Sequence, residues 1–466
     1  MTPAAEDARV GARSAILHLS AAEGGGAERY IRDLAASVPA RHYYWHIGAG
    51  LDALEDMAVP RFFPLADHAD GTQARAALGR WLRAADIGML HLHGVDAEAR
   101  ARLALIESAA AIPWIVTLHD LAFVNPRAFE LSGRPPPDRA WLAEVATVLR
   151  RAAAIVVPSE FLRGIAREHL PELSFELLAP GVDAGRAIVA QPEPPHFAAR
   201  RPRHVVAVVG AIGPHKGSQL LDPLAAQLEG TDIGLAVIGY TDTQIERGWR
   251  LPGRLYVHGP YHEAELPGLL VAYGVEAALF PNRMPEGFSY TLSEVWAAGI
   301  PAVVPDEGAL GERVAKQGGG WLLPPGYSAA DAAEFLRGLF SPGRAAERSR
   351  VESQVDPHDE SRIPSLAAMS REIDALYRRF GLPPSATGPD AAGAREALEP
   401  LLAANLDGFA FRKELIKLAG ELAELKAATA SLFEENRKLA DDKAAFDQLP
   451  LLVRKALLRK VFRARG

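Results

Sequence analysis

The chain has 466 residues, 48% apolar and 23% charged, with 51 Lys and Arg against 58 Asp and Glu, a net charge of −7 and no cysteine. That length fits two or three domains, and the average composition excludes bulk disorder. The missing cysteines exclude a disulfide scaffold, thiolate metal sites and thiol nucleophiles, and the mild negative charge gives no sign of a nucleic-acid binder.

Met1–Arg13 carries acids and no apolar core, so no secretory signal is expected there. No apolar run approaches the roughly 18 residues that would span a bilayer. Ser14–Leu19 is short and apolar, Gly24-Gly25-Gly26 interrupts it, and Ala27–Val38 has helical spacing through Tyr30, Ile31, Leu34, Ala35 and Val38. Further strand-like runs are His42–Ile47, Met89–Leu92, Trp114–Leu118, Ile155–Val157 and Phe175–Leu178, with helical patterns between several of them. Strands alternating with helices indicate βαβ units and a parallel sheet.

The pattern restarts after the Pro-rich stretch Gln191–Pro202. His204–Val209 is apolar without alternation, as a strand buried on both faces must be. A turn at Gly210–Gly217 and a helix over Ser218–Leu228 follow, then strands at Leu235–Ile238, Leu255–Val257, Ala277–Phe280 and Ala302–Val304. The expected fold class is α/β, with two Rossmann-like domains, 1–195 and 196–357, facing a cleft. Ligands of such sheets bind outside the carboxyl ends of the strands. Residues 358–382, helical over Pro364–Phe380, are read as a helix returning toward the first domain, and 383–390 as a linker.

Residues 391–448 read as a coiled coil. Leu418, Leu425, Leu432 and Leu439 recur every seven residues, and with these at d, Asn436 falls at a. Leucine at d with one buried Asn at a favours a parallel two-stranded coil, because the amide pairs with its twin only in register. A parallel homodimer is the expected partner state; a helix packed on its own globular body is the alternative. Residues 449–466 hold Arg454, Lys455, Arg459, Lys460, Arg463 and Arg465 and no acid, interleaved with Leu451, Leu452, Leu457, Leu458, Val461 and Phe462. One greasy and one cationic face is the composition of a helix lying on an anionic membrane. A solvated basic tail is the alternative.

The strongest chemical signal is Pro285-Glu286-Gly287-Phe288-Ser289-Tyr290-Thr291-Leu292-Ser293-Glu294, with two carboxylates spaced E-x7-E after a strand. Glu286 is expected in the loop at the strand's carboxyl end and Glu294 one to two turns inside the following helix. Gly287 leaves backbone amides open near a helix N-terminus, where an anion is favoured.

This stretch, with Trp296-Ala297-Ala298-Gly299-Ile300-Pro301-Ala302-Val303, resembles the signature of retaining GT-B glycosyltransferases of the GT4 type. The resemblance runs from about Ser14 to Phe380. It includes the glycine-rich loop Gly24-Gly25-Gly26-Ala27-Glu28-Arg29, the turn Leu118-His119-Asp120, the segment Val157-Pro158-Ser159-Glu160-Phe161, and the loop Gly210-Ala211-Ile212-Gly213-Pro214-His215-Lys216-Gly217. The sequence departs from the family where Ala211 stands in place of its usual Arg. Arg283 or His215 are the candidate substitutes for that missing phosphate contact. Pro180 likewise replaces the usual Asn before Gly181-Val182-Asp183.

The resemblance implies transfer of a hexosyl unit from a nucleotide-diphosphate sugar to a glycan acceptor with anomeric retention. It implies Glu286, His119 and Lys216 as the catalytic set. Glu286 would bind hydroxyls of the donor sugar, Glu294 the ribose hydroxyls, and His119 the donor sugar near the reaction centre, with Asp120 orienting its loop. Lys216, Gly213 and amides near Gly25, Gly26, Gly287, Phe288 and Ser289 would hold the diphosphate and stabilise its departure. No cofactor or metal is then needed, and no D-x-D device occurs in the sequence. With the zipper and tail, a lipid-linked acceptor in polysaccharide or lipopolysaccharide assembly is expected, with the enzyme peripheral at the cytoplasmic face of the membrane. The rivals are a nucleotide-sugar epimerase and a non-catalytic scaffold of a membrane-associated glycan assembly complex.

Overall fold

Short, largely apolar runs become the central strands, buried on both faces by helices. The computed structural model describes residues 14–21, 24–47, 52–58, 61–65, 72–184 and 188–382. The zipper and the basic tail lie outside these residues. The first sheet contains β1 (Ala15–Ser20), β2 (Arg41–His46), β3 (Asp52–Asp56), β4 (Arg61–Leu65), β5 (Ile87–His93), β6 (Trp114–Thr117), β7 (Ala154–Val157) and β8 (Glu176–Leu177), in the order β4-β3-β2-β1-β5-β6-β7-β8. The second contains β9 (His204–Ile212), β10 (Ile233–Thr241), β11 (Gly248–Leu251), β12 (Leu255–Val257), β13 (Val275–Leu279), β14 (Ala302–Pro305) and β15 (Gly320–Leu323), in the order β11-β12-β10-β9-β13-β14-β15.

Both sheets are parallel except at one edge, where β3 and β4 pair antiparallel in the first and β11 pairs antiparallel with β12 in the second. These edge strands are additions to the sequence reading. Asp52-Ala53-Leu54-Glu55-Asp56 carries too many acids to read as a strand, yet its acids find partners. Asp52 accepts from Trp45 Nε1 at 2.7 Å and pairs with Arg102, and Glu55 bonds His46 at 2.8 Å. Buried acids survive in a sheet when each is hydrogen-bonded and paired.

Each sheet is covered on both faces. One face of the first sheet packs Trp45, Trp81, Leu90 and Val116 with the helices Thr72–Ala84, Ala97–Ala109 and Arg139–Leu149. The other packs Ile16, Met89, Ile115 and Val156 against Tyr30, Leu34, Met369, Ile373 and Tyr377. The helices on that second face are Gly25–Ser37 and Leu366–Arg379, so the chain returns from the second sheet to close the first. A hydrogen bond from Ser370 Oγ to the carbonyl of Ser37 at 2.7 Å ties the two helices. The crossing is tight: a Cβ on Gly181 would sit 2.4 Å from the carbonyl oxygen of Ser365. Among the described residues no helix is long and apolar enough to cross a membrane.

Candidate active site

Among the parallel strands of each sheet the order reverses once, between β1 and β5 in the first and between β9 and β13 in the second. A crevice opens outside the carboxyl ends at such a point. The motifs occupy the loops found there: Gly24–Gly26 after β1, His119 after β6, Lys216 after β9 and Glu286 after β13.

Lys216 is placed by glycines. Gly213 precedes a single 3-10 turn, Pro214–Lys216, which ends at Gly217 with φ +81. A Cβ on Gly217 would lie 1.9 Å from the carbonyl oxygen of Pro281, so only glycine permits this approach. The amides of Arg283 and Met284 then donate to the carbonyl of His215 at 2.9 and 3.1 Å, which fastens the two loops together. As a result Lys216 Nζ lies 3.9 Å from Glu286 Oε1, and Asn282 Nδ2 donates to the same oxygen at 2.8 Å. Lys216, Asn282, Glu286, Ser289 and Thr291 line one hollow at the carboxyl ends of β9 and β13. Of the two substitutes for the missing Arg, Arg283 donates to the carbonyl of Tyr327 at 2.8 Å, and His215 stands edge-on to Phe129.

The segment 287–289 is held from below by Arg313. This buried arginine donates to the carbonyls of Phe288 and Ser289 at 3.3 and 3.0 Å, to the carbonyl of Arg362 at 3.1 Å and to Ser293 Oγ at 2.7 Å. Its guanidinium lies 4.4 Å from the Phe288 ring centre. Burial lowers its pKa to about 9, which still leaves it charged at neutral pH. A trans peptide points its N–H opposite to its C=O. Turning the carbonyls of 288 and 289 toward Arg313 therefore turns the amides of Ser289 and Tyr290 away from it. Ser289 has φ +72, a left-handed conformation unusual outside glycine, and its Oγ accepts from Leu292 N at 3.4 Å to cap the helix Tyr290–Ala297.

The two sheet units meet at this segment. A Cβ on Gly287 would fall 2.0 Å from the carbonyl oxygen of His119. Phe161 N donates to Glu312, and Gly133 N to the carbonyl of Arg283. Gly24 and Gly25 have φ +72 and +71, and Gly26 approaches the Tyr290 ring. Asp120 caps the turn Leu121–Phe123 by accepting from Ala122 N at 2.7 Å, and burial raises its pKa.

Glu294 stands apart from Glu286. It lies inside the helix Tyr290–Ala297 and accepts from Arg29 Nη1 at 2.6 Å, in a second hollow shared with Val182, Asp183 and Glu263. Burial raises its pKa against the pull of Arg29.

Residues 24–186 match Glycosyltransferase Family 4. HepE from Anabaena, in complex with UDP and glucose, superposes with a TM-score of 0.59 at 16% identity, over 78% of this chain and 100% of that one. A glycosyltransferase from Rickettsia africae gives 0.56 at 13%, over 79% and 98% of the two chains. Sucrose-phosphate synthase from Thermosynechococcus elongatus gives 0.54 at 16%, over 79% and 99%. This is the GT-B fold. No curated protein sequence matches the chain.

Around this GT-B cleft the structure brings Lys216, Glu286 and Ser289 together and places His119 on the facing loop. Asn282 on Glu286, Arg313 beneath the loop and Arg29 on Glu294 are contacts with no local signal in the sequence. His119 is also the end of a line of histidines. The nearest sequence signal is histidine at alternate positions 91 and 93 of one strand, which puts both on one face, His93 in the line and His91 beside it.

Proposed function

We propose that the protein is a retaining glycosyltransferase that moves a hexosyl unit from a nucleotide-diphosphate sugar to a glycan acceptor. The observation that carries this reading is the meeting of Lys216 Nζ and Glu286 Oε1 at 3.9 Å, at the switch point of the second sheet. The facing loop of the other unit supplies His119, within backbone contact of Gly287. The Family 4 match and the similarity to HepE, which is known with UDP and with UDP-glucose, support it.

The chemistry follows from charge. A nucleoside diphosphate leaves with developing negative charge, and a fixed ammonium plus amides at a helix N-terminus stabilise it without reorganising. Lys216 supplies the ammonium, and the amides of Ser289 and Tyr290 are free to face the leaving group because Arg313 holds the opposite carbonyls. Asn282 fixes one Glu286 oxygen, leaving the other to accept from a sugar hydroxyl. A lipid-linked acceptor in polysaccharide or lipopolysaccharide assembly is the further reading. It rests on the zipper and basic tail of the sequence, which together suit a dimer seated on an anionic membrane.

A thermal-shift screen of nucleotide sugars tests the donor assignment. A true donor at 100 times its Kd stabilises by about 2.7 kcal/mol, and its transfer product keeps the donor's anomeric configuration by NMR. An inverted product, or epimerised sugar without an acceptor, contradicts the reading. Flotation of the full chain with anionic liposomes, compared with a chain ending at residue 448, tests the membrane reading, and equal flotation of both contradicts it.

A further inference from the structure

Four histidines from four separate strands or loops stand in one buried line. His42 Nδ1 lies 2.9 Å from His18 Nε2, His18 Nδ1 lies 3.0 Å from His93 Nε2, and His93 Nδ1 lies 3.1 Å from His119 Nε2. His18 is 0% exposed, His42 3% and His93 4%, while His119 at the cleft is partly exposed. The line begins at a backbone carbonyl: His42 Nε2 is 3.2 Å from the oxygen of Val38. Around it stand Tyr30, edge-on to His93 and His119, and His91, whose ring nitrogens bond Tyr377 Oη at 2.7 Å and Thr117 Oγ1 at 2.8 Å.

A carbonyl only accepts, so His42 must carry its proton on Nε2. A neutral imidazole has one donor and one acceptor nitrogen. His42 Nδ1 is therefore an acceptor, and His18 must donate from Nε2. The same step repeats at His93 and again at His119. Burial supplies the premise of neutrality: it holds His18, His91 and His93 well below their ordinary pKa, and His42 and His119 at about 4. We propose that His42, His18 and His93 are positioning residues that fix His119 as the Nε2–H tautomer, so that its Nδ1 is a permanent acceptor for a hydroxyl of the bound sugar. Among the described residues that Nδ1 has no partner.

The line does not conduct protons. A proton entering at His119 could leave only through His42, whose outer nitrogen faces a carbonyl that cannot take it. What the chain does is orient. An unlinked histidine in a cleft exchanges tautomers and rotates; this one has its ring and its donor face set by three buried neighbours. The cost of misorienting a substrate contact by such freedom is large for a reaction that depends on position.

A metal ion is the other reading of the cluster, since His18, His91 and His93 offer nitrogens within 4.8 Å of one another. Both nitrogens of each of these three rings are already hydrogen-bonded. A bound ion would take lone pairs that the line uses, so the two readings exclude each other.

The proposal rests on the transferase reading for its consequence but not for its geometry, and the test separates the two. Long-range 1H–15N correlation spectra of the full chain, 15N-labelled at histidine and assigned by single substitutions, report each tautomer directly. At pH 7.5 the expected result is an Nε2–H tautomer for His42, His18, His93 and His119. An Nδ1–H tautomer or a doubly protonated ring at any of the four overturns the proposal, as does one equivalent of metal in the purified protein. In turnover, His93→Phe is expected to lower kcat about 10²-fold with donor KM little changed, and His93→Gln, which keeps an acceptor and a donor, to recover most of it. An unchanged kcat in His93→Phe overturns the positioning role. Failure of the transferase reading shows separately, as no turnover of any donor by the unsubstituted chain.

Discussion

Arg29 Nη1 lies 2.6 Å from Glu294 Oε1, and the two residues come from opposite halves of the GT-B fold. Arg29 is carried by the helix that follows the glycine loop, Glu294 by the helix that follows Glu286. The same guanidinium reaches Glu263 at 2.8 Å and lies 4.3 Å from the Tyr290 ring centre. Glu294 is thus a clasp between the two units.

The clasp should register as coupling. Both side chains are largely buried, at 19% and 14% exposure, so removing Arg29 leaves the Glu294 carboxylate uncompensated, while Arg29 keeps Glu263 and Asp33 when Glu294 is changed. Arg29→Met is expected to cost about 3 kcal/mol in urea unfolding. In a double-mutant cycle with Glu294→Gln, the loss in the double variant should fall short of the sum of the two single losses by about 1–2 kcal/mol. Strict additivity contradicts the clasp.

Gly287→Ala should cost activity far more than stability. The new methyl would meet the His119 carbonyl at 2.0 Å across the cleft, and the units can relieve this by moving apart without unfolding. Donor turnover is expected to fall at least 10²-fold, as for a misplaced catalytic group, with the melting temperature within a few degrees of the parent. A variant of parental activity contradicts the close approach.

Much of this architecture was legible because strands buried on both faces have a distinctive pattern: Val205–Val209 shows five residues with no polar side chain, and the structure extends that strand to Ile212. The E-x7-E segment was legible because Gly287 and the helix behind it have local causes. The acidic edge strand Asp52–Asp56 was not, because its partners Trp45 and Arg102 are set by tertiary contact. The histidine line was hidden for the same reason. His18, His42, His93 and His119 are spread over a hundred residues, and only the register of β1 between β2 and β5 brings the first three together. Leu418, Leu425, Leu432, Leu439, Asn436 and the basic tail lie outside the described residues.

Arg313 should resist conservative replacement. Its planar fork serves three carbonyls and a hydroxyl, a geometry that lysine cannot copy. Arg313→Ala is expected to destabilise by about 3 kcal/mol, since buried carbonyls left unpaired cost about 1–3 kcal/mol each. Arg313→Lys should recover only part of that. A loss below about 0.5 kcal/mol, the range of ordinary surface substitutions, contradicts its role beneath the 288–289 loop.

The buried histidines predict a pH dependence with a definite sign. His42 and His119 have folded-state pKa values of about 4 against 6.5 for an unperturbed histidine. Above pH 6.5 both states are neutral and the full stability is present. As pH falls from 6.5 toward 4 the unfolded chain takes protons that the native chain refuses, so stability is lost across that window. Urea unfolding at pH 7.5 and pH 5 is expected to show the loss, and His42→Phe to show less of it. Equal or greater stability at pH 5 contradicts the neutral line.

The most direct test of the account is the release of nucleoside diphosphate from the best-bound nucleotide sugar by the parent chain and by Lys216→Ala and Glu286→Gln. The account predicts turnover by the parent and a loss of at least about 10²-fold in each variant, the usual scale for removing a charge-stabilising group, as at Lys216, or a substrate-positioning one, as at Glu286, with the donor still bound. Turnover in both variants at the parental rate, or a parent chain that binds no nucleotide sugar at all, would contradict it.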